Sequence, residues 1–169
     1  MKSKFLLPVI IIMLFQSCST KSKKEGYYFQ DFEDIPLWLD SQQLAYEYSR
    51  SGSYSTKMDE VNNYSLCFKM PVGEILKQGF TKAEITAWVA LSVPAAKCTF
   101  ITSIESNEKA VVWNGIPFSK VTKTSREWRE LKTTVDFKED QKELMFKVYG
   151  LSDNKERGYM DDISIQFLK

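Results

Sequence analysis

The chain has 169 residues, with 23 lysines and arginines against 22 acids, no histidine, and 14% aromatic residues. Near-neutrality leaves no electrostatic footprint for nucleic acid, and abundant aromatics with dispersed charge exclude a disordered chain. The missing histidine removes the commonest general base and every triad built on one.

Lys2 and Lys4 precede an apolar run from Phe5 to Phe15, followed by Gln16, Ser17 and Cys18. A basic head, an apolar stretch and a small residue before the break predict a secretory signal over residues 1–17. The run is near the ~10 residues of a signal core, not the ~20 of a bilayer span. Leu14-Phe15-Gln16-Ser17-Cys18 resembles the bacterial lipobox, which implies lipid attachment at Cys18. An ordinary signal peptide, or a transmembrane anchor with a stray cysteine, is the alternative. With Lys2 and Lys4 removed, 21 basic residues face 22 acids, so the mature chain carries 21 − 22 = −1. Residues 18–26 form a lipid-tethered linker with no apolar residue after Cys18. Its last eight residues reach at most ~27 Å, at ~3.3–3.6 Å each. The expected address is a lipid anchor in the outer membrane, facing the periplasm or the cell surface.

Residues 27–169 suit one domain. Tyr27–Glu33 is the first predicted strand, followed by a turn with an apolar plug through Trp38. Leu44–Tyr48, Tyr54–Met58 and Tyr64–Met70 come next, parted by Ser51-Gly52-Ser53 and Asn62-Asn63. Pro71 and Gly79 bracket a single helical turn over Val72–Gln78. Thr81–Ser92 is a long strand with Ile85, Ala87, Val89 and Leu91 on one side and Glu84, Thr86 and Trp88 on the other. Cys98–Glu105 and Ala110–Phe118 read as a hairpin, and Glu127–Phe137 follows. In Leu144–Tyr149, Leu144, Phe146 and Val148 alternate with Met145, Lys147 and Tyr149. The closing strand, Gly158–Leu168, has Ile163, Ile165 and Phe167 in one phase, and strict alternation puts Asp161 on their side. About ten strands with turns every ~8–12 residues predict an all-β, two-sheet antiparallel sandwich.

Four stretches carry a family resemblance: Asp31-Phe32-Glu33 with Trp38, Ser51 to Lys57, Glu127-Trp128, and Tyr159 to Ile163. In order and spacing they resemble the carbohydrate-binding-module-like (galactose-binding-like) β-jelly rolls, in the setting of a Gram-negative lipoprotein. The resemblance implies a jelly roll that binds a glycan without catalysis. It also implies one structural calcium, held by Glu33, by Asp161 or Asp162, and by the backbone carbonyls of Asp31 and Lys57. Calcium takes 6–8 oxygens, which such a mixture suits. The alternative is that these acids cap turns or meet Lys57 and Arg157.

Sugar binding needs exposed aromatic faces with a few polar partners. Trp88 and Tyr149 lie on the polar phases of their strands, joined there by Glu84 and Lys147. Trp113-Asn114-Gly115 adds a ring and an amide. A groove lined by Trp88 and Tyr149 is therefore expected if the ligand is a poly- or oligosaccharide. A protein-interaction or structural lipoprotein on the same fold, without a sugar site, is the alternative. Cys67 and Cys98 are either two buried thiols or one disulfide. The anchor is tested by Cys18→Ala, which is expected to abolish labelling of the chain by radioactive palmitate in growing cells. Unchanged labelling would remove it.

Overall fold

Among the described residues ten strands form where aromatic and β-branched residues alternate with polar ones, so that each strand has one apolar face to bury. The computed structural model describes residues 25–34, 41–107 and 109–169. Residues 1–24, with the signal peptide and Cys18, and residues 35–40, with Trp38, lie outside the described residues.

In chain order the strands are β1 (Tyr27–Gln30), β2 (Leu44–Ala45), β3 (Ser55–Met58), β4 (Phe68–Pro71), β5 (Lys82–Leu91), β6 (Cys98–Ser106), β7 (Lys109–Pro117), β8 (Arg129–Asp136), β9 (Met145–Ser152) and β10 (Gly158–Leu168). A six-residue helix, α1 (Val72–Lys77), joins β4 to β5 where one helical turn is predicted. The long predicted strands hold to within three residues at each end. The early ones shrink. β1 stops at Gln30 because the backbone turns at Phe32, whose φ is 65°. The strand predicted from Tyr64 pairs continuously only from Phe68.

All pairings within the strands are antiparallel, and they make two sheets. One, sheet A, runs β2-β3-β10-β5-β8, with β1 beside the far half of β10. The other, sheet B, runs β4-β9-β6-β7. β10 is the hub of sheet A, since β5 pairs along one edge while β3 and β1 share the other. The sheets pack face to face over one apolar core that includes Met58, Ile85, Val89, Phe100, Phe146, Met160 and Phe167. Phe146 lies edge-on to Phe68, Phe137 and Phe167 at 5.1–6.2 Å between centroids, an arrangement that suits ring quadrupoles. At one flank Asn114 Nδ2 on β7 donates to Thr133 Oγ1 on β8 at 3.0 Å, tying the two sheets together.

Strict alternation fails at one place that matters. Asp161 pairs with Trp88, yet Ser164 pairs with Thr86, so three steps on β10 match two on β5. This β-bulge holds Asp162 at a φ of 46°. It turns Asp161 onto the outer face of sheet A, beside Trp88, while Ile163 points to the core. The expectation of a core-facing Asp161 is thereby corrected.

The outer face of sheet A divides in two. Around β3 and the near half of β10 it carries a second apolar cluster of Ala45, Ala90 and Tyr159, covered by Tyr48 and Trp128. Tyr48 and Trp128 stack at 5.0 Å and 7°, so Trp128 is a packing residue. Cys67 and Cys98 are free thiols. Cys98 is buried against Gly158, and burial pushes its thiol up to about 12. Among the described residues no helix is long and apolar enough to cross a membrane.

Candidate functional site

Three of the expected calcium ligands, Glu33, Asp161 and Asp162, cluster around the loop Ser49–Tyr54, and what they bind there is the loop itself. Asp161 is fully buried. Its Oδ2 accepts the backbone N–H groups of Arg50 and Ser51 at 2.8 and 3.2 Å, and its Oδ1 accepts that of Asp162 at 2.8 Å. Burial pushes its carboxyl up to about 6 against the pull of these three donors. Asp162 takes the Arg50 guanidinium on Oδ2 and the Ser51 hydroxyl on Oδ1, the latter at 2.8 Å. Glu33 Oε1 accepts two more loop N–H groups, from Ser53 and Tyr54, both at 2.8 Å. Between them lies Gly52, with a φ of 57°, where a Cβ would come within 2.3 Å of the Glu33 carboxylate. Asp31 Oδ1 accepts the N–H of Glu33 at 3.2 Å. Lys57 sits inside β3, paired with Tyr159, and its Nζ lies 3.5 Å from Asp59 Oδ2.

A calcium cradle needs several oxygens aimed at one empty point. Here the carboxylate oxygens aim at peptide N–H groups, a hydroxyl and a guanidinium. Among the described residues no three His, Cys, Asp or Glu side chains gather closely enough to hold a metal ion. Asp161, Asp162 and Glu33 Oε1 are thus taken by donors of the chain itself, and these side chains alone do not make a calcium cradle.

The same loop disposes of Trp88. The Arg50 guanidinium lies 3.9 Å from the centre of its ring, so a cation from the chain already occupies that aromatic face. Glu84 is exposed further along the same face of sheet A, paired with Gln166 and Thr134. Tyr149 and Lys147 lie instead on β9, in the other sheet. Trp88 and Tyr149 both occupy polar phases, as predicted, but those phases face opposite sides of the sandwich. They line no common groove, because periodicity reports a strand's two faces and not the sheet it joins.

The outer face of sheet B does assemble a site. One row crosses all four strands in register: Lys69 on β4, Lys147 on β9, Ser103 on β6 and Trp113 on β7. The next row is Tyr149, Ile101 and Gly115. Trp113 is 55% exposed, and its ring lies over Gly115, where a Cβ would sit 2.1 Å from the indole. Glycine is thus what lets the ring lie down along the sheet as a platform. Across the face, two strand spacings or about 10 Å away, Tyr149 meets Tyr64 at 5.9 Å between rings. Between the aromatic sides lies a polar floor. Glu105 accepts the Ser103 hydroxyl at 2.6 Å and the Lys147 ammonium at 2.6 Å. Burial draws the Glu105 carboxyl upward, but the hydrogen bonds from Lys147 and Ser103 outweigh it and hold it below the usual range. The bond to Glu105 holds the Lys147 ammonium above its own.

Of the residues predicted to bind a ligand, Trp113, Tyr149 and Lys147 come together on this face. Asn114 points to the other side of β7, into its bond with Thr133. Glu105, Ser103 and Tyr64 are absent from the sequence-based set. Ser103 and Glu105 share a phase of β6 two residues apart, which is a visible signal, but their meeting with Lys147 depends on β6 pairing with β9. The face can stack a flat apolar ligand surface on Trp113, and it offers hydroxyl-binding groups from the floor and from Tyr149.

No family model matches the chain, and no curated protein matches it. Solved structures do. The CBM22-2 xylan-binding domain from Paenibacillus barcinonensis Xyn10C superposes with a TM-score of 0.57 at 13% identity, covering 83% of this chain and 99% of that one. The C-terminal family 22 carbohydrate binding module of Clostridium thermocellum Xyn10B gives 0.51 at 14% identity, with 84% and 94% covered. The fold is that of the jelly-roll carbohydrate-binding modules.

Two outcomes follow from this geometry. Arg50→Met strips Asp162 of its cation and is expected to cost about 2 kcal/mol of unfolding free energy, while chelation of the wild type leaves its melting curve in place. A fall in melting temperature on adding EDTA, restored by calcium, would overturn the metal-free account of the loop. The second concerns pH. Glu105 titrates below its ordinary 4.5 in the folded state, so its contribution is full above 4.5 and is lost as pH falls through the lower folded value. Glu105 is expected to contribute a loss of stability on that acid limb, and Glu105→Gln to remove that contribution. Denaturant melts from neutral to acid pH check both.

Proposed function

We propose that the chain is a non-catalytic carbohydrate-binding lipoprotein of the cell envelope, and that the outer face of sheet B is where the glycan lies. The observation that carries this reading is Trp113, a large ring laid flat on the sheet over Gly115 and more than half open to water. Stacking the C–H face of a sugar removes apolar surface from water on both partners without asking the ring to move. The Glu105–Lys147–Ser103 floor supplies an acceptor and donors at fixed positions, as oriented hydroxyl recognition requires. The likeness in fold to xylan-binding domains supports a polysaccharide or oligosaccharide ligand.

The same inventory supports a reading of binding without bond cleavage. Glycoside hydrolysis needs two carboxyl groups about 5–9 Å apart across the scissile bond. The acid at the floor of this face is Glu105, and it is tied to a lysine. Glu33, Asp161 and Asp162 hold the loop on the other sheet. The lipobox-like Leu14–Cys18 motif supports anchoring to a membrane, with the domain in the periplasm or outside the cell.

A glycan array probed with the purified protein identifies the ligand, and Trp113→Ala tests the site. Loss of retention by roughly tenfold or more, the equivalent of ~1.4 kcal/mol, is expected with a melting temperature close to wild type. A variant that binds as before moves the site elsewhere, and a wild type that retains no glycan favours an interaction module instead.

A further inference from the structure

The first strand presents aromatic residues where the fold has no use for them. Tyr27 and Phe29 pair with Gln166 and Ser164, which puts both on the outer face of sheet A, and they are 43% and 52% exposed. Tyr28, between them, turns inward and meets Phe68 and Phe167 edge-on at 5.7 Å. The apolar cluster that covers the other half of this face consists of Ala45, Ala90, Tyr159, Tyr48 and Trp128, and includes neither Tyr27 nor Phe29. Large rings on a short edge strand are an association hazard unless something covers them.

What precedes the strand indicates the cover. Gly26 is fixed to the end of β10, its carbonyl accepting the Phe167 N–H at 2.8 Å, while Gln166 Nε2 donates to the Glu25 carbonyl at 3.1 Å. Between Cys18 and Glu25 the sequence has six residues, Ser19 to Lys24, and six residues span at most ~21 Å at ~3.3–3.6 Å each. That stretch carries Lys21, Lys23 and Lys24 and no acid. A lipid at Cys18 would thus hold Tyr27 and Phe29 close to the bilayer surface, with cations between them and the anionic head groups. Tyrosine and phenylalanine on a polar strand suit the head-group region, where rings are buried and hydroxyls stay wet.

We infer that Tyr27 and Phe29 rest in the lipid interface and orient the domain, with sheet A towards the bilayer and the sheet B face away from it. This rests on lipid attachment at Cys18. Its consequence is that the Trp113 platform is presented outward and not pressed against the membrane.

The test uses the full lipidated chain, isotope-labelled and reconstituted into nanodiscs of equal parts phosphatidylethanolamine and phosphatidylglycerol, doped with a gadolinium-chelating lipid. Amide signals of Tyr27 to Gln30 are expected to broaden strongly, and those of Trp113, Gly115 and Tyr149 to stay sharp. The Tyr27→Ser, Phe29→Ser double variant should remain on the disc and keep its melting temperature, but lose this one-sided broadening. Equal broadening on both faces, or the same pattern in the variant, would overturn the orientation while leaving the anchor in place. A wild-type chain that fails to stay with the discs overturns both. Glycan retention by the same preparation reports separately on the Trp113 face.

Discussion

A carboxylate withdrawn from water must find donors, and the structure on the outer face of sheet A follows from how two adjacent aspartates do so. Asp161 and Asp162 sit at a bulge in the hub strand, and the loop Ser49–Tyr54 supplies the donors. Leaving such groups unpaired would cost several kcal/mol each. The loop is thus held down at both ends, by the aspartates through Arg50 and Ser51 and by Glu33 through Ser53 and Tyr54. Gly52 has to be glycine because Glu33 occupies the space a side chain would need. Once down, the loop brings Arg50 over Trp88, next to the cluster of Tyr48, Trp128 and Tyr159.

The two sheets are consequently unlike in what they offer a ligand. Around its loop, sheet A spends the outward aromatics Trp88, Tyr48 and Trp128 on the chain itself, and it leaves Tyr27 and Phe29 of β1 exposed. Sheet B keeps Trp113 and Tyr64 exposed on its outer side and sets an internally neutralised acid–base pair between them. That pair presents hydrogen-bonding groups without a net charge, which suits a ligand rich in hydroxyls better than a strongly ionic one.

Much of the fold was legible because half-buried strands have period 2. The alternation in β5, β9 and the outer half of β10 predicts their core faces correctly, at Ile85 and Val89, Phe146 and Val148, Ile165 and Phe167. The bulge was not legible. A single extra residue inverts the phase, and nothing local to Tyr159–Ile163 marks where the insertion falls, so Asp161 was assigned to the wrong side. The acids near Glu33 and Asp161 stand out in sequence as a group that needs partners. That the partners are peptide N–H groups is a matter of loop geometry. The site was legible in part for a similar reason. Tyr149 and Lys147 show their polar phase in sequence and Trp113 stands out as a ring in mid-hairpin, whereas their meeting with Glu105 and Ser103, and the separation of Trp88, depend on which strands become neighbours.

The unequal surroundings of the indoles give the molecule an optical property. Among the described residues there are three tryptophans. Trp88 lies under a guanidinium, Trp128 is stacked on Tyr48, and Trp113 stands in water on the sheet B face. The first two emit from environments that a ligand on the opposite sheet does not touch. Among these three, Trp113 is the one open to water on the sheet B face, so its emission is the one that a ligand covering that face would change. Covering Trp113 would shift the red edge to the blue, whereas release of Arg50 from Trp88 would change the emission of the latter.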